Sequence, residues 1–203
     1  MGRRSDHTRD ELQALLLSEG HRLLAEGGLA RFSGREVAKR AGYSVGTIYN
    51  VFGSLDHLLV ALNSHTFTLW ANALERELSR GPADRIAALV EAYFAFARDH
   101  THLWSAIYEH RVAPDLLGPA DHAARAALTT IVDAEVRAAL PADTGTDIGR
   151  LTRSLIAVVH GHCSFALGGT FALLEEHDPA GSALARVRES LAMQGYDATL
   201  PVG

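Results

Sequence analysis

Cysteine is almost missing from this chain: Cys163 stands alone among 203 residues. One thiol cannot form an intramolecular disulfide, and a lone cysteine suits a reducing compartment. No uninterrupted apolar run is long enough to span a bilayer. The opening MGRRSDHTRDELQ carries basic residues with no apolar run behind them, so a signal peptide is not expected and a cytoplasmic, membrane-free protein is. Cys-x-x-Cys and His-x3-His pairs are also missing despite 11 histidines. His100 and His102, like His160 and His162, are two apart and so fall on different faces of a helix, which is poor ligand geometry. No metal or other cofactor is expected. Glu109 and His110 have no evident nucleophile or orienting partner, so the chain does not read as an enzyme.

What is there is apolar and helical. Hydrophobic residues make up 47% of the chain and charged residues 21%, which suits one large domain or a small one joined to a medium one. The net charge of −5 hides an asymmetry: the first fifty residues hold eight Lys/Arg against six Asp/Glu, and the remainder eleven against eighteen. A small polyanion-facing module on an acidic body has that distribution. Every long segment has helical period, and none alternates like a strand. A first helix spans about Thr8 to Glu26 and ends at Gly27-Gly28. In FSGREVAKRAG, Ser33 and Glu36 spell a capping box and Gly42 a stop. Ser44 is placed to cap a third helix, Val45 to Phe52, and Ser54 to cap a fourth, Leu55 to Leu78. Helices are expected at 83–100, 102–112 and 123–140, then an eighth at about Ile148 to Leu174 that is apolar nearly all round, then a ninth ending near Gly195. The class is all-α with about nine helices, short ones first and a long-helix bundle behind. The tail YDATLPVG reads as loose.

Two short helices joined by a tight turn, REVAKRAG-YS-VGTIYNVF, form a helix-turn-helix. Val37, Ala38, Ala41, Ile48 and Phe52 make the inner face that sets the angle between them, and small Ala38 and Gly46 allow close approach. Val45, Thr47, Tyr49 and Asn50 are left on the outer face of the second helix. Their hydroxyls and amide can reach phosphates or base edges, and Val45 a thymine methyl. A plain helical hairpin has the same periodicity.

The residues Val37-Ala38, Ala41-Gly42, Ser44, Gly46-Thr47-Ile48-Tyr49, Phe52 and Leu58-Leu59 closely resemble the DNA-binding signature of the tetracycline-repressor (TetR) family, with its spacing intact over roughly residues 8 to 60. The resemblance implies a three-helix DNA-binding domain over residues 1–53 and a helical ligand-binding and dimerisation domain over 54–203. It implies phosphate contacts from Ser33, Thr47 and Tyr49, and base-edge contacts from Val45, Gly46 and Asn50. Ser44 opens the recognition helix, and Arg35 and Lys39 lie on the exposed side of the helix before it. Val51 and Leu55 depart from the family, the latter standing where many members carry a lysine aimed at the backbone. Arg3 and Arg4 offer a compensating arm.

The rest of the chain resembles the family in architecture alone. The implied partners are double-stranded operator DNA, a small-molecule effector and a second copy of the chain, since one helix-turn-helix reads only a few base pairs. The homodimer interface is expected on the last two helices, at Val158, Phe165, Gly169 and Leu191. The effector pocket is expected among Trp70, Tyr93, Phe94, Trp104, Ile107, Tyr108, His110 and His162, with Phe96, His65 and, as the alternative to His162, His160, an apolar, aromatic set with a few polar points. It favours a lipophilic or aromatic effector that releases a repressor from a palindromic operator. An activator, an effector-independent regulator or a metal sensor of the same family are the alternatives.

Overall fold

The computed structural model describes residues 7–142 and 144–196; Arg3, Arg4 and the tail after Tyr196 lie outside them. Along the described residues run ten α-helices and no strand. They are α1 (Arg9–Gly27), α2 (Gly34–Arg40), α3 (Val45–Phe52), α4 (Leu55–Ser79), α5 (Arg85–Asp99), α6 (Thr101–Glu109), α7 (Pro119–Ala139), α8 (Ile148–Leu167), α9 (Thr170–Leu173) and α10 (Pro179–Ala192), with 3-10 turns at Leu29–Arg31 and Pro114–Leu116.

The capping chemistry is distributed differently from the sequence expectation. The complete capping box is Thr8 with Glu11, where Thr8 Oγ1 accepts from Glu11 N–H and the Glu11 carboxylate accepts from Thr8 N–H at 2.7 Å. Ser33 and Ser44 do occupy the N-cap positions of α2 and α3, yet neither side chain makes a capping hydrogen bond. Glu36 is drawn away from Ser33 by its ion pairs with Lys39 at 3.7 Å and Arg40 at 3.6 Å. Ser54 does cap α4, accepting from His57 N–H at 3.1 Å.

The chain divides into two compact units. The first gathers the residues up to Thr66 with His100–Ala124. Its core joins Leu16, Leu23 and Leu24 of α1, Val37 and Ala38 of α2, Ile48 of α3, Leu58, Leu59 and Leu62 of α4, and Leu103 and Ala106 of α6. The boundary expected after Gly53 therefore falls inside this unit. Helix α1 and two short helices do not close this core alone, and the first turns of α4 together with α6 supply the missing wall. Leu55 belongs to that wall. It is half-buried against the core, and a Cβ added at Gly34 would lie 3.0 Å from Leu55 Cδ1. The lack of a side chain at Gly34 is what lets α4 start so close to α2. Val51, the other departure from the family, is likewise a packing residue.

The second unit gathers Phe67–Asp99 with the chain from Arg125 onward, and α5, α8 and α10 pack against one another. A stripe of Ile148, Thr152, Leu155, Val159 and Cys163 is the buried face of α8. Burial pushes the Cys163 thiol up to about 11, so it behaves as a small apolar residue. Arg85 at the start of α5 forks onto both oxygens of Glu135 on α7 at 2.6 Å. The expected long eighth helix is broken in two. Gly168 ends α8, and Gly169 takes the left-handed conformation (φ 77°) that separates it from the single turn of α9. Leu191, expected at a subunit contact, is wholly enclosed within its own unit, because the 3.6-residue period puts it on the stripe with Ala183 and Val187 that faces the core.

Two outcomes follow from the first unit. Leu55→Ala should destabilise the fold by roughly 1–2 kcal/mol. Leu55→Lys should cost less, because a lysine stem covers the same surface with its ammonium in water; chemical denaturation of the pair measures both. The second concerns His21. Its Nε2–H donates to Thr66 Oγ1 at 3.3 Å, the Thr66 hydroxyl being used on Leu62 O. Burial, with the nearby charges of His65 and His100, pushes the His21 imidazole from 6.5 down to about 4. The unfolded chain takes up this proton below pH 6.5 while the fold refuses it until about pH 4, so stability should fall as pH drops through that window. In melting scans, His21→Gln, which can still donate to Thr66, should flatten the decline.

Candidate nucleic-acid interface and effector core

The two short helices of the first unit are locked from inside. Val37 and Ala38 are fully buried, Ile48 is 1% exposed, and Ala41 and Phe52 pack half-buried on the same core. With that face committed, α3 turns the opposite one outward: Tyr49 is 55% and Val45 37% exposed. Ser44, Gly46 and Asn50 are exposed beside them and Thr47 is half-buried. Gly46 does not serve helix approach as the sequence suggested. A Cβ there would meet only Ser44 Oγ at 3.6 Å, so its bareness is a property of the outer surface. Ser33, Arg35, Val45, Ile48, Tyr49 and Leu55, with Phe32 and Gly34, line a groove of about 410 Å³ between the start of α2 and the face of α3.

The cations of this face are unequally available. Arg35 is exposed and in no ion pair among the described residues. Lys39 leans on Glu36, and Arg40 is held by Glu26 at 2.8 Å as well as by Glu36. The Arg40 hydrogen bond keeps the Glu26 carboxyl below its ordinary range. The first turn of α4 presents backbone N–H groups at a positive dipole end, but its exposed Asp56 opposes an anion there.

The side chains expected to form one pocket are shared between the units. In the second, Trp70 is fully enclosed, with the Tyr93 ring edge-on at 4.7 Å and Phe96 stacked parallel at 5.0 Å; Phe94 lies 6.5 Å from Tyr93. His162 is not in this group. Its Nδ1–H donates to Val158 O at 2.8 Å and its ring faces Phe171. The histidine that joins the group is His160, whose Nδ1 shares a hydrogen bond of 3.0 Å with the Tyr93 hydroxyl and whose imidazole is held below its ordinary value by burial. In the first unit, Trp104 and Ile107 are buried, and Tyr108, 45% exposed, tilts against Trp104 at 5.3 Å. His110 closes α6, accepting from Asn63 Nδ2 and donating to Asp56 Oδ1, both at 3.4 Å.

Several polar atoms lie enclosed without a hydrogen-bond partner among the described residues, among them Asn63 Oδ1 in the first unit and Trp70 Nε1, Thr152 Oγ1, Asp133 Oδ1 and Arg188 Nε in the second. Sequence reasoning passed over Asn63 and Thr152, since a polar residue on an apolar stripe is visible in sequence but its lack of a partner is not. It also passed over a groove of about 450 Å³ lined by Leu78, Arg85, Ile131 and Glu135. Among the described residues no group of three or more His, Cys, Asp or Glu is arranged to hold a metal ion, and no single helix is long and apolar enough to cross a membrane. Of the residues expected at a dimer contact, Phe165 is 48% exposed, Gly169 exposed and Val158 half-buried.

Residues 16–62 match the sequence profile described as bacterial regulatory proteins, tetR family, and residues 86–188, half of the chain, match the tetracyclin repressor-like C-terminal domain. The chain finds no match among curated protein sequences. Among solved structures, a protein of unknown function from Rhodococcus sp. RHA1 is 25% identical, with 96% of this chain and 99% of that one aligned at a TM-score of 0.73. RolR in complex with resorcinol is 20% identical over 94% and 90% of the two chains, at a TM-score of 0.68. A TetR family transcription regulator from Marinobacter aquaeolei VT8 is 18% identical over 89% and 95%, at 0.60. With both halves matched by the same family, and with the helix-turn-helix locked as its signature requires, this chain belongs to the tetR family of transcriptional regulators.

Proposed function

We propose that the chain is a cytoplasmic, non-enzymatic, ligand-responsive repressor that binds a palindromic operator as a homodimer and is released by a small, lipophilic or aromatic effector. The observation that carries the DNA-binding part is the two-sidedness of α3: Ile48 is sealed in the core while Tyr49 next to it is 55% exposed. A helix so held can enter a major groove with its N-terminal residues at base edges. In this reading Val45, Gly46 and Asn50 face bases, while Ser33, Ser44, Thr47 and Tyr49 hold the backbone. Residues 1–53 carry the DNA contacts, and residues 54–203 carry effector binding and dimerisation.

Dimerisation is supported by apolar surface on the second unit, where Phe165, Leu173 (86% exposed), Leu174 and Met193 face outward. Two copies on a two-fold site would place their recognition helices about 34–36 Å apart. The aromatic group around Trp70 supports an effector of similar character, and resorcinol, the ligand bound to RolR, is such a compound. An effector that binds better to a conformation with another separation of the two recognition helices releases DNA.

A fragment of the DNA upstream of the chain's own gene should be retarded by the protein at moderate salt, with Tyr49→Ala binding at least about tenfold more weakly. Equal retardation of specific and scrambled DNA by both proteins would overturn the reading. Charge offers a second check. Glu36 sequesters Lys39 and Arg40 and is itself repelled by phosphate, so Glu36→Gln should tighten operator binding several-fold at low salt. The gain should fade as salt screens the exposed charges, as fluorescence anisotropy titrations across a salt series would measure.

A further inference from the structure

We infer that the interior of the second unit holds a closed site for a small neutral aromatic compound with one hydrogen-bond acceptor, and that Trp70 Nε1–H is the donor awaiting it, a proposal that rests on the effector-responsive reading above. Trp70 is 0% exposed and its Nε1 has no hydrogen-bond partner among the described residues. A buried N–H without an acceptor is a standing cost. Where a core needs only bulk, phenylalanine or leucine fills it without that cost, so an indole here asks for a reason.

Its surroundings say what would answer it. Phe96 lies parallel to the indole, 5.0 Å away and 3° from coplanar, and Tyr93 meets it edge-on at 4.7 Å. The Tyr93 hydroxyl is already engaged by His160 at 3.0 Å. The complement of aromatic faces with one unanswered donor is a flat apolar body with a single carbonyl or ether oxygen. Nothing in this group is a carboxylate that would favour a cation. Thr152 Oγ1 on α8, also enclosed and unanswered, is a further polar point in the same unit.

Nε1 also has essentially no accessible surface, so no water-sized space adjoins it. The compound can enter only when Trp70 or a neighbour moves. Binding and conformational change are then one event: the donor is unmet in the closed form and met in the open one. That difference gives the ligand its preference between states.

The test uses the full-length protein and two pairs of shape-matched probes, acetophenone with α-methylstyrene and benzophenone with 1,1-diphenylethylene, in which a carbonyl replaces a methylene. At least one ketone should bind about tenfold more tightly than its alkene, and should move the Trp70 indole proton downfield in nitrogen–proton correlation spectra. The chain has two tryptophans, so the signal absent from Trp70→Phe identifies it. Trp70→Phe keeps a stacking ring without the donor; the volume it leaves unfilled should lower the melting temperature, and it should bind ketone and alkene alike. The spectral shift on the unaltered protein is read even where that variant folds poorly. If neither ketone exceeds its alkene, or the preference survives in Trp70→Phe, the site is overturned. DNA release is scored separately. Ketone preference without release leaves the site standing and removes the repressor reading, while release by other compounds without ketone preference does the reverse.

Discussion

The first unit depends on the packing of the first turns of α4 against the three helices before it. Leu58 and Leu62 are fully enclosed among Leu16, Leu24, Val37 and Ile48, and without them the inner faces of α2 and α3 would be wet. The angle between two helices of 7 and 8 residues cannot be held by their own hydrogen bonds, since helices this short are marginal in water. It is held by the apolar seam. Leu55 shows the same logic at the seam's edge, where it fills the space left by Gly34. A residue that looks like a lost anchor when compared with the family is, in this fold, part of the wall that orients the recognition helix.

Charge has a smaller role at this surface than an acidic protein facing a polyanion would suggest. Glu26, Glu36, Lys39 and Arg40 form a local network, and exposed pairs of that kind contribute little to stability. Their effect is on availability: cations already partnered by carboxylates must exchange one anion for another. Shape and hydroxyl groups then carry a larger share of any contact, with Arg35 the readiest cation on α2.

The second unit is built the opposite way, as an apolar interior seeded with polar atoms. Thr152 sits on the same buried stripe as Leu155, Val159 and Cys163, and Trp70 is sealed beside two aromatic rings. Interiors are close-packed, so an unmet polar atom there carries a cost that its neighbours do not offset. The ion pairs at the start of α5, Arg85 to Glu135 and Asp84 to Arg188, tie α5 to α7 and α10 away from those atoms.

Sequence by itself determined the class, the order of the helices, the bounds of the first four to within a residue or two, and the two-faced pattern of the helix-turn-helix. These follow from periodicity and glycine stops, which are local. Even the true capping box, Thr8-x-x-Glu11 ahead of an apolar run, is written in the sequence as plainly as the unformed one at Ser33 and Glu36. Between two equal local signals, the ion pairs of Glu36 decided. Tertiary structure alone chose His160 over His162 for Tyr93, because residues two apart point roughly 200° apart and only the neighbouring α5 says which direction matters. It also enclosed Leu191, broke the eighth helix at Gly169, and drew Ser54–Thr66 and His100–Ala124 into the first unit. Each of these depends on which surfaces meet, and burial is a property of pairs of surfaces that no single stretch of residues contains.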